Sequence, residues 1–177
     1  MMSVFLLEKS LDMKKFLFVL FTLFSIALFA QTEELPAYKK QPGIPQFMIL
    51  QPDSTWFTTA SLPKNKPVVI TYFSPECSHC QFEAKELVKH MDELKDINFV
   101  WTSYFTPGEI REFVDKYVVK KFDNVHFGRD TKYYIPVFYD LKYTPFSAVY
   151  DKHGKLVKTY DMGIDFKELK DLVNAEK

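Results

Sequence analysis

Apolar positions along the chain fall into two rhythms, short β-branched runs and longer stretches with one apolar face. Phe47 to Leu50 reads as a first strand with Gln51-Pro52-Asp53-Ser54 as its turn, and Trp56 to Leu62 as a second short strand. After a surface turn at Pro63 to Pro67, the run Val68 to Phe73 is continuously apolar or β-branched, which suits a strand buried on both faces of a mainly parallel sheet. Ser74-Pro75-Glu76 breaks that strand. From Ser78 the spacing becomes helical, with Phe82, Leu87, Met91 and Leu94 near one face and Lys85, Lys89, Asp92 and Lys95 largely off it. Ile97 to Tyr104 is another β-rich run, followed by a helix from Pro107 to Val118 with Thr106 as its cap. Beyond a short apolar piece at Val125 to Phe127, Ile135-Pro136 opens a brief helix to Leu141. Phe146 to Tyr150 and Lys155 to Tyr160 read as strands flanking Asp151-Lys152-His153-Gly154, a hairpin signal with glycine where positive φ is wanted, and Asp165 caps a last helix. Strands that alternate with helices and finish on a hairpin predict a three-layer α/β sandwich.

The N-terminal end carries a different pattern. Lys14 and Lys15 precede fifteen residues, 16–30, without a charge, and a polar run begins at Gln31. A basic segment, an apolar segment and the small residue Ala30 are the parts of a secretory signal peptide, 1–30, cleaved after Ala30. An uncleaved anchor is the alternative, although the apolar run is shorter than the roughly 20 residues that span a hydrocarbon core. Glu8 and Asp12 ahead of the lysines are unusual for such a segment, which makes Met13 an alternative start. Residues 31–46 are polar and hold three prolines, so they read as an extended linker before one domain over 47–177. The expected location is periplasmic or otherwise extracytoplasmic, with membrane contact only if the signal segment is retained.

Twenty-three Lys and Arg against 23 Asp and Glu leave no electrostatic footprint for nucleic acid or an anionic membrane. Eighteen Phe and ten Tyr predict an aromatic-rich core. The two cysteines, Cys77 and Cys80, sit three apart at the predicted strand-to-helix turn. A loop this short constrains the unfolded chain very little, so a redox role explains the spacing better than a structural staple. Free N–H groups and the macrodipole at a helix N-terminus stabilise a thiolate, which makes Cys77 the expected nucleophile with a lowered pKa. Cys80, one turn further in, is placed to attack the mixed disulfide and release product. A metal site is disfavoured: structural zinc takes four ligands, there is no second CxxC, and the histidines are scattered at 79, 90, 126 and 153. No metal or cofactor is expected. His79, if cationic, would favour the neighbouring thiolate, the other reading being an exposed first-turn side chain.

Thr71 to Cys80 resembles the strand and active-site turn of thioredoxins, and Tyr139 to Pro145, followed by a strand, Gly154 and a second strand, resembles the segment carrying their cis-proline. The likeness spans roughly residues 47–175. It implies a thioredoxin-like three-layer α/β/α sandwich around a central mixed sheet. It also implies a cis Thr144–Pro145 peptide beside the cysteines, where the Thr144 backbone offers strand-like hydrogen bonds to a substrate chain. Thr71 stands where ordinary thioredoxins carry a buried aspartate, so that proton relay is missing. Glu83 matches the acidic residue of the exported TlpA/ResA-like branch and would accept the proton of Cys80, the other reading being a surface glutamate. Glu76 replaces the usual tryptophan and works against a lowered pKa at Cys77. The resemblance implies an exported thiol–disulfide oxidoreductase acting on exported thiol- or disulfide-containing proteins, with an upstream redox partner. The family pattern leans toward a reductant. His79 matches the CPHC turn of DsbA-type oxidants and keeps that direction open, as it keeps open a non-catalytic copper-handling or thioredoxin-fold binding module.

Overall fold

The central strands of the sheet send alternate side chains into two separate cores, and that period of two builds the three layers. The structure, a computed structural model, describes residues 35–41, 43–118 and 122–174 together with Lys15 and Phe18. The expected signal segment and its cleavage point otherwise lie outside the described residues. In chain order the elements are α1 (Ala37–Lys40), β1 (Met48–Leu50), β2 (Trp56–Thr58), β3 (Val68–Tyr72), α2 (Ser78–His90), β4 (Asn98–Ser103), α3 (Pro107–Tyr117), β5 (Val125–Arg129), α4 (Tyr134–Tyr139), β6 (Phe146–Tyr150), β7 (Leu156–Asp161) and α5 (Phe166–Asn174). They form one mixed sheet in the order β2-β1-β5-β4-β3-β6-β7.

Strands β3, β4 and β5 run parallel, which requires crossover connections, and α2 and α3 supply them. The remaining pairings are antiparallel. Val69, Phe99, Trp101 and Val149 point to the face covered by α2, α3 and α5, where they meet Cys80, Leu87, Ile110, Phe113 and Leu169. Val68, Ile70, Tyr72, Val100 and Ala148 point to the opposite face, against Ile135, Phe138 and Tyr139 of α4. The local signals hold the ends. Thr106 Oγ1 accepts the Glu109 N–H at 3.3 Å while Glu109 Oε2 accepts the Thr106 N–H at 2.8 Å, a reciprocal cap on α3. Asp165 Oδ1 accepts the Lys167 and Glu168 N–H groups at the start of α5, and Gly154 takes φ +77° in the β6–β7 turn.

Four local expectations are corrected. Phe82 is 64% exposed, because the buried stripe of α2 runs through Cys80, Glu83, Ala84 and Leu87 and leaves residue 82 outside it. Val125 to Phe127 opens a full strand, β5, between β1 and β4; His126, Gly128 and Arg129 interrupt the apolar signal that would reveal it. The second strand ends at Thr58 and continues as a tight turn over Thr59–Ser61. Residues 36–46, read as an extended linker, belong to the same compact unit as the rest of the chain to Lys177. There Tyr38 of α1 packs on Tyr139 with ring centroids 5.6 Å apart, and the Ile44 N–H donates to the Gly154 carbonyl at 3.2 Å.

Gly128 marks the closest seating within the sheet, since a Cβ built there would lie 2.9 Å from Ile49 of β1. Gly128→Ala is expected to lower stability by about 1–3 kcal/mol through overpacking, read by denaturant unfolding. An unchanged unfolding midpoint would contradict the tight β1–β5 contact.

Candidate active site

Strand β3 delivers the chain to a turn that ends as the cap of α2. The Cys77 N–H donates to the Ser74 carbonyl at 3.1 Å, and Gln81 Nε2 donates to the Pro75 carbonyl at 2.9 Å, which ties the turn back to the helix. Cys77 occupies the N-cap position in an extended conformation. Its sulfur therefore faces the unpaired N–H groups of the first helical turn.

Both cysteines are free thiols, Cys77 partly exposed and Cys80 fully buried. Their environments push them in opposite directions. Partial burial alone would raise the Cys77 thiol, but the Cys80 N–H, side-chain hydrogen bonds from Cys80 and Thr144, and the His79 N–H outweigh it and hold the pKa below the ordinary value. Burial drives the Cys80 thiol well above its ordinary value, and the negative charges of Cys77 and Glu83 add to that. Cys77 is therefore the more acidic of the two sulfurs and the readier to form a thiolate, while Cys80 holds its proton to higher pH.

The cysteines meet the chain's far half at Thr144. The Thr144 carbonyl accepts a hydrogen bond from Cys77 Sγ at 3.5 Å, and the Thr144–Pro145 peptide is cis. The Pro145 carbonyl accepts the Met162 N–H at 2.9 Å, anchoring the segment to the end of β7.

Glu83 is 3% exposed, which rules out the surface-glutamate reading. Ser147 Oγ donates to Glu83 Oε1 at 3.5 Å, and the Ile164 N–H donates to Oε2 at 3.3 Å. Burial pushes its carboxyl up to about 7, against these two hydrogen bonds that favour the charged form. Gly163 lies alongside with φ +129°, and a Cβ there would stand 3.3 Å from Oε2. The imidazole of His79 is exposed, and it is the backbone N–H of this residue that reaches the Cys77 sulfur. Glu76 is exposed as well.

Sequence reasoning placed Thr71 only as the replacement of a buried aspartate and did not find Ser147 or the contact between them. Thr71 Oγ1 and Ser147 Oγ lie 2.8 Å apart, both buried, and Ser147 links Thr71 to Glu83. The available signal was one hydroxyl inside each of two otherwise apolar runs, VVITY and FSAVY. Among the described residues no group of three or more His, Cys, Asp or Glu side chains is placed to hold a metal ion, and no helix is long and apolar enough to cross a membrane.

A half-exposed and a buried thiol at the strand-to-helix turn of a mixed sheet, with a cis-proline segment against the outer sulfur, define a thioredoxin-like protein with a thiol–disulfide oxidoreductase-like fold. The chain belongs to the AhpC/TSA family, whose sequence profile matches residues 42–171. Among solved structures it is similar to DsbF of MTB, with 26% identity, a TM-score of 0.63, and coverage of 75% of this chain and 96% of that one. A secreted Mycobacterium tuberculosis disulfide oxidoreductase homologous to E. coli DsbE matches with 25% identity and a TM-score of 0.61, over 73% of this chain and 96% of that one. A thiol:disulfide interchange protein of the thioredoxin family from Chlorobium tepidum shares the fold at 17% identity and a TM-score of 0.63, over 82% and 99% of the two chains. No curated protein matches the chain.

The buried carboxyl predicts a pH dependence of stability. Its folded pKa of about 7 lies above that of an unfolded glutamate, so the native state binds the proton more tightly. The resulting stabilisation is fully present at low pH and is lost as pH rises through about 4.5 to 7, in all roughly 3 kcal/mol. Glu83→Gln removes the buried charge and is expected to be more stable than the wild type above pH 7, the difference vanishing in acid. Parallel stability–pH curves for the two proteins would count against a buried, protonatable Glu83.

Proposed function

We propose that this protein is an exported thiol–disulfide oxidoreductase of the TlpA/ResA-like type, working as a reductant of exported disulfide-containing proteins. The observation that carries the reading is the split between the two thiols, one accessible and lowered in pKa, the other buried and raised beside a carboxyl. The Cys77 thiolate attacks a partner's disulfide, and one partner sulfur leaves as a thiolate that takes a proton from water. Glu83 then accepts the proton of Cys80, and the Cys80 thiolate attacks Cys77 Sγ. The Cys77–partner bond breaks, the second partner sulfur departs and is protonated, and the enzyme is left with a Cys77–Cys80 disulfide after passing two electrons to the partner. An upstream redox partner restores the dithiol.

Thr144 and Pro145 form the edge of the substrate site, where the backbone of an extended chain aligns its disulfide with Cys77. Exposed apolar rings support a polypeptide partner. Tyr104 directly after β4, Tyr143 directly before Thr144, and Phe82 in the first turns of α2 are each half or more exposed. A proton acceptor beside Cys80 supports the reductant direction, because the resolving thiol must lose its proton before it attacks. The uncharged segment 16–30 behind two lysines supports export to the periplasm or cell surface, as does the likeness to a secreted oxidoreductase.

Insulin reduction by the reduced protein tests the activity. Cys77→Ser is expected to abolish it, Cys80→Ser to accumulate trapped mixed disulfides, and alkylation near neutral pH to modify Cys77 first. First labelling of Cys80, or no trapping, would contradict the assignment. Stoichiometric copper on the purified protein without dithiol activity would instead favour the copper-handling module. A reduction potential nearer the about −270 mV of thioredoxin than the about −120 mV of DsbA is expected of a reductant.

A further inference from the structure

The buried hydroxyls of Thr71 and Ser147 have no part in the exchange as described, yet they sit at the one carboxylate it uses. Three facts define their arrangement. Thr71 and Ser147 face each other across β3 and β6 as register partners. Their Oγ atoms lie 2.8 Å apart, with 0% and 1% of each residue exposed. Ser147 Oγ donates its hydrogen to Glu83 Oε1. A hydroxyl has a single hydrogen, so with that hydrogen on Glu83 the Ser147 oxygen can only accept from Thr71. Both hydroxyls then point the same way, with Thr71 donating to Ser147 and Ser147 to the carboxylate. When Glu83 takes a proton, the carboxylic acid can donate to Ser147 and Ser147 to Thr71, so the chain reverses and the buried Ser147 keeps a partner in both states.

We propose that Thr71 and Ser147 are positioning residues, a two-hydroxyl donor chain that stabilises the ionised form of Glu83 and so sets the pH range over which Glu83 takes the proton of Cys80. The proposal rests on the oxidoreductase reading above and deepens it. The groups packed around the carboxylate leave few other candidates. Helix α2 presents the thiol of Cys80, the titratable group coupled to Glu83. Strand β6 presents the neutral Ser147 and β3 the neutral Thr71. The segment after β7 presents the Ile164 N–H and the bare Cα of Gly163. Among the described residues no cation offsets the buried charge in this shell, and the hydroxyl chain and a single N–H are the groups that favour it. The proton moves from Cys80 Sγ to Glu83, the Cys77–partner S–S bond breaks as the Cys77–Cys80 bond forms, and the two hydroxyls exchange no net proton with either sulfur.

The test is the pH profile of mixed-disulfide resolution, measured by stopped flow on a preformed Cys77 adduct, beside a carbon-detected NMR titration of the Glu83 carboxyl. Ser147→Ala removes the donor. It is expected to move both the rate midpoint and the carboxyl midpoint upward by about one pH unit and to slow resolution roughly fivefold at pH 7. Ser147→Thr, which keeps a hydroxyl, should restore most of the rate. Thr71→Val should give a smaller shift in the same direction, and the Thr71→Val, Ser147→Ala double variant no more than Ser147→Ala alone, because Thr71 acts through Ser147. Unshifted midpoints in a folded Ser147→Ala protein, or additive shifts in the double variant, would overturn the proposal. The foundation fails separately: a wild-type protein that does not exchange thiols, or a Glu83→Gln variant that resolves at the wild-type rate across the pH series, would sink the oxidoreductase reading or the role of Glu83 before the hydroxyls enter.

Discussion

Antiparallel pairing of β6 against β3 sets Tyr72 opposite Phe146 and Thr71 opposite Ser147, and the rest of the site follows from that register. Because side chains alternate along a strand, a slip of one residue would turn Ser147 to the α4 face and put Ala148 toward Glu83. The same register brings the residues just before β6 to the end of β3, where the chain turns into α2. Thr144 and Cys77 are 67 residues apart in sequence and meet there at 3.5 Å. Aromatic packing underneath makes the register costly to change. Phe73 contacts Trp101, Phe113 and Phe127, with ring centroids between 4.7 and 6.0 Å, directly behind the cysteine turn.

On this frame the site works through contrast in burial. Three ionisable groups lie within the first two turns of one helix N-terminus, yet each has a different solvent. Cys77 keeps access to water and to free N–H groups, so its anion is favoured. Cys80 and Glu83 turn inward on the buried stripe of α2, where a charge is expensive, and both hold their protons to higher pH than they would in water. Of the two, Cys80 holds its proton to the higher pH, so transfer to Glu83 runs uphill; it is eased once Cys77 is tied up in a mixed disulfide, because the Cys77 charge that opposes ionisation of Cys80 is then gone. In the proposed exchange the accessible sulfur makes the first attack and the buried pair completes it.

Much of this was legible in the sequence because the signals are local. The CxxC at a strand-to-helix break, Thr106 with Glu109, Gly154 in the hairpin and Asp165 before the last helix each act within four residues and appear where the pattern puts them. What the sequence hid depends on tertiary placement. The phase of α2 is set by where the helix starts, and that choice buries Glu83 while leaving Phe82 outside, the reverse of what hydrophobicity suggests. Strand β5 exists because β1 and β4 flank it, in spite of His126 and Arg129. His126 is accommodated by stacking on Phe57, ring centroids 4.0 Å apart. Residues 36–46 are polar in isolation and are held by Tyr139 and the Gly154 carbonyl, partners a hundred or so residues away. The Thr71–Ser147 contact joins positions 76 apart, and no periodicity in either strand reports it.

The asymmetry of the two thiols is the central claim, and the ultraviolet absorbance of the thiolate measures it directly. Titrating the reduced wild type, Cys77→Ser and Cys80→Ser should show one thiolate with a midpoint below the ordinary thiol value of about 8.5, present in the wild type and in Cys80→Ser and absent from Cys77→Ser. In Cys77→Ser the remaining thiol should stay protonated well above that value. Two thiols ionising together near the ordinary value, or a low midpoint that survives in Cys77→Ser, would contradict the account.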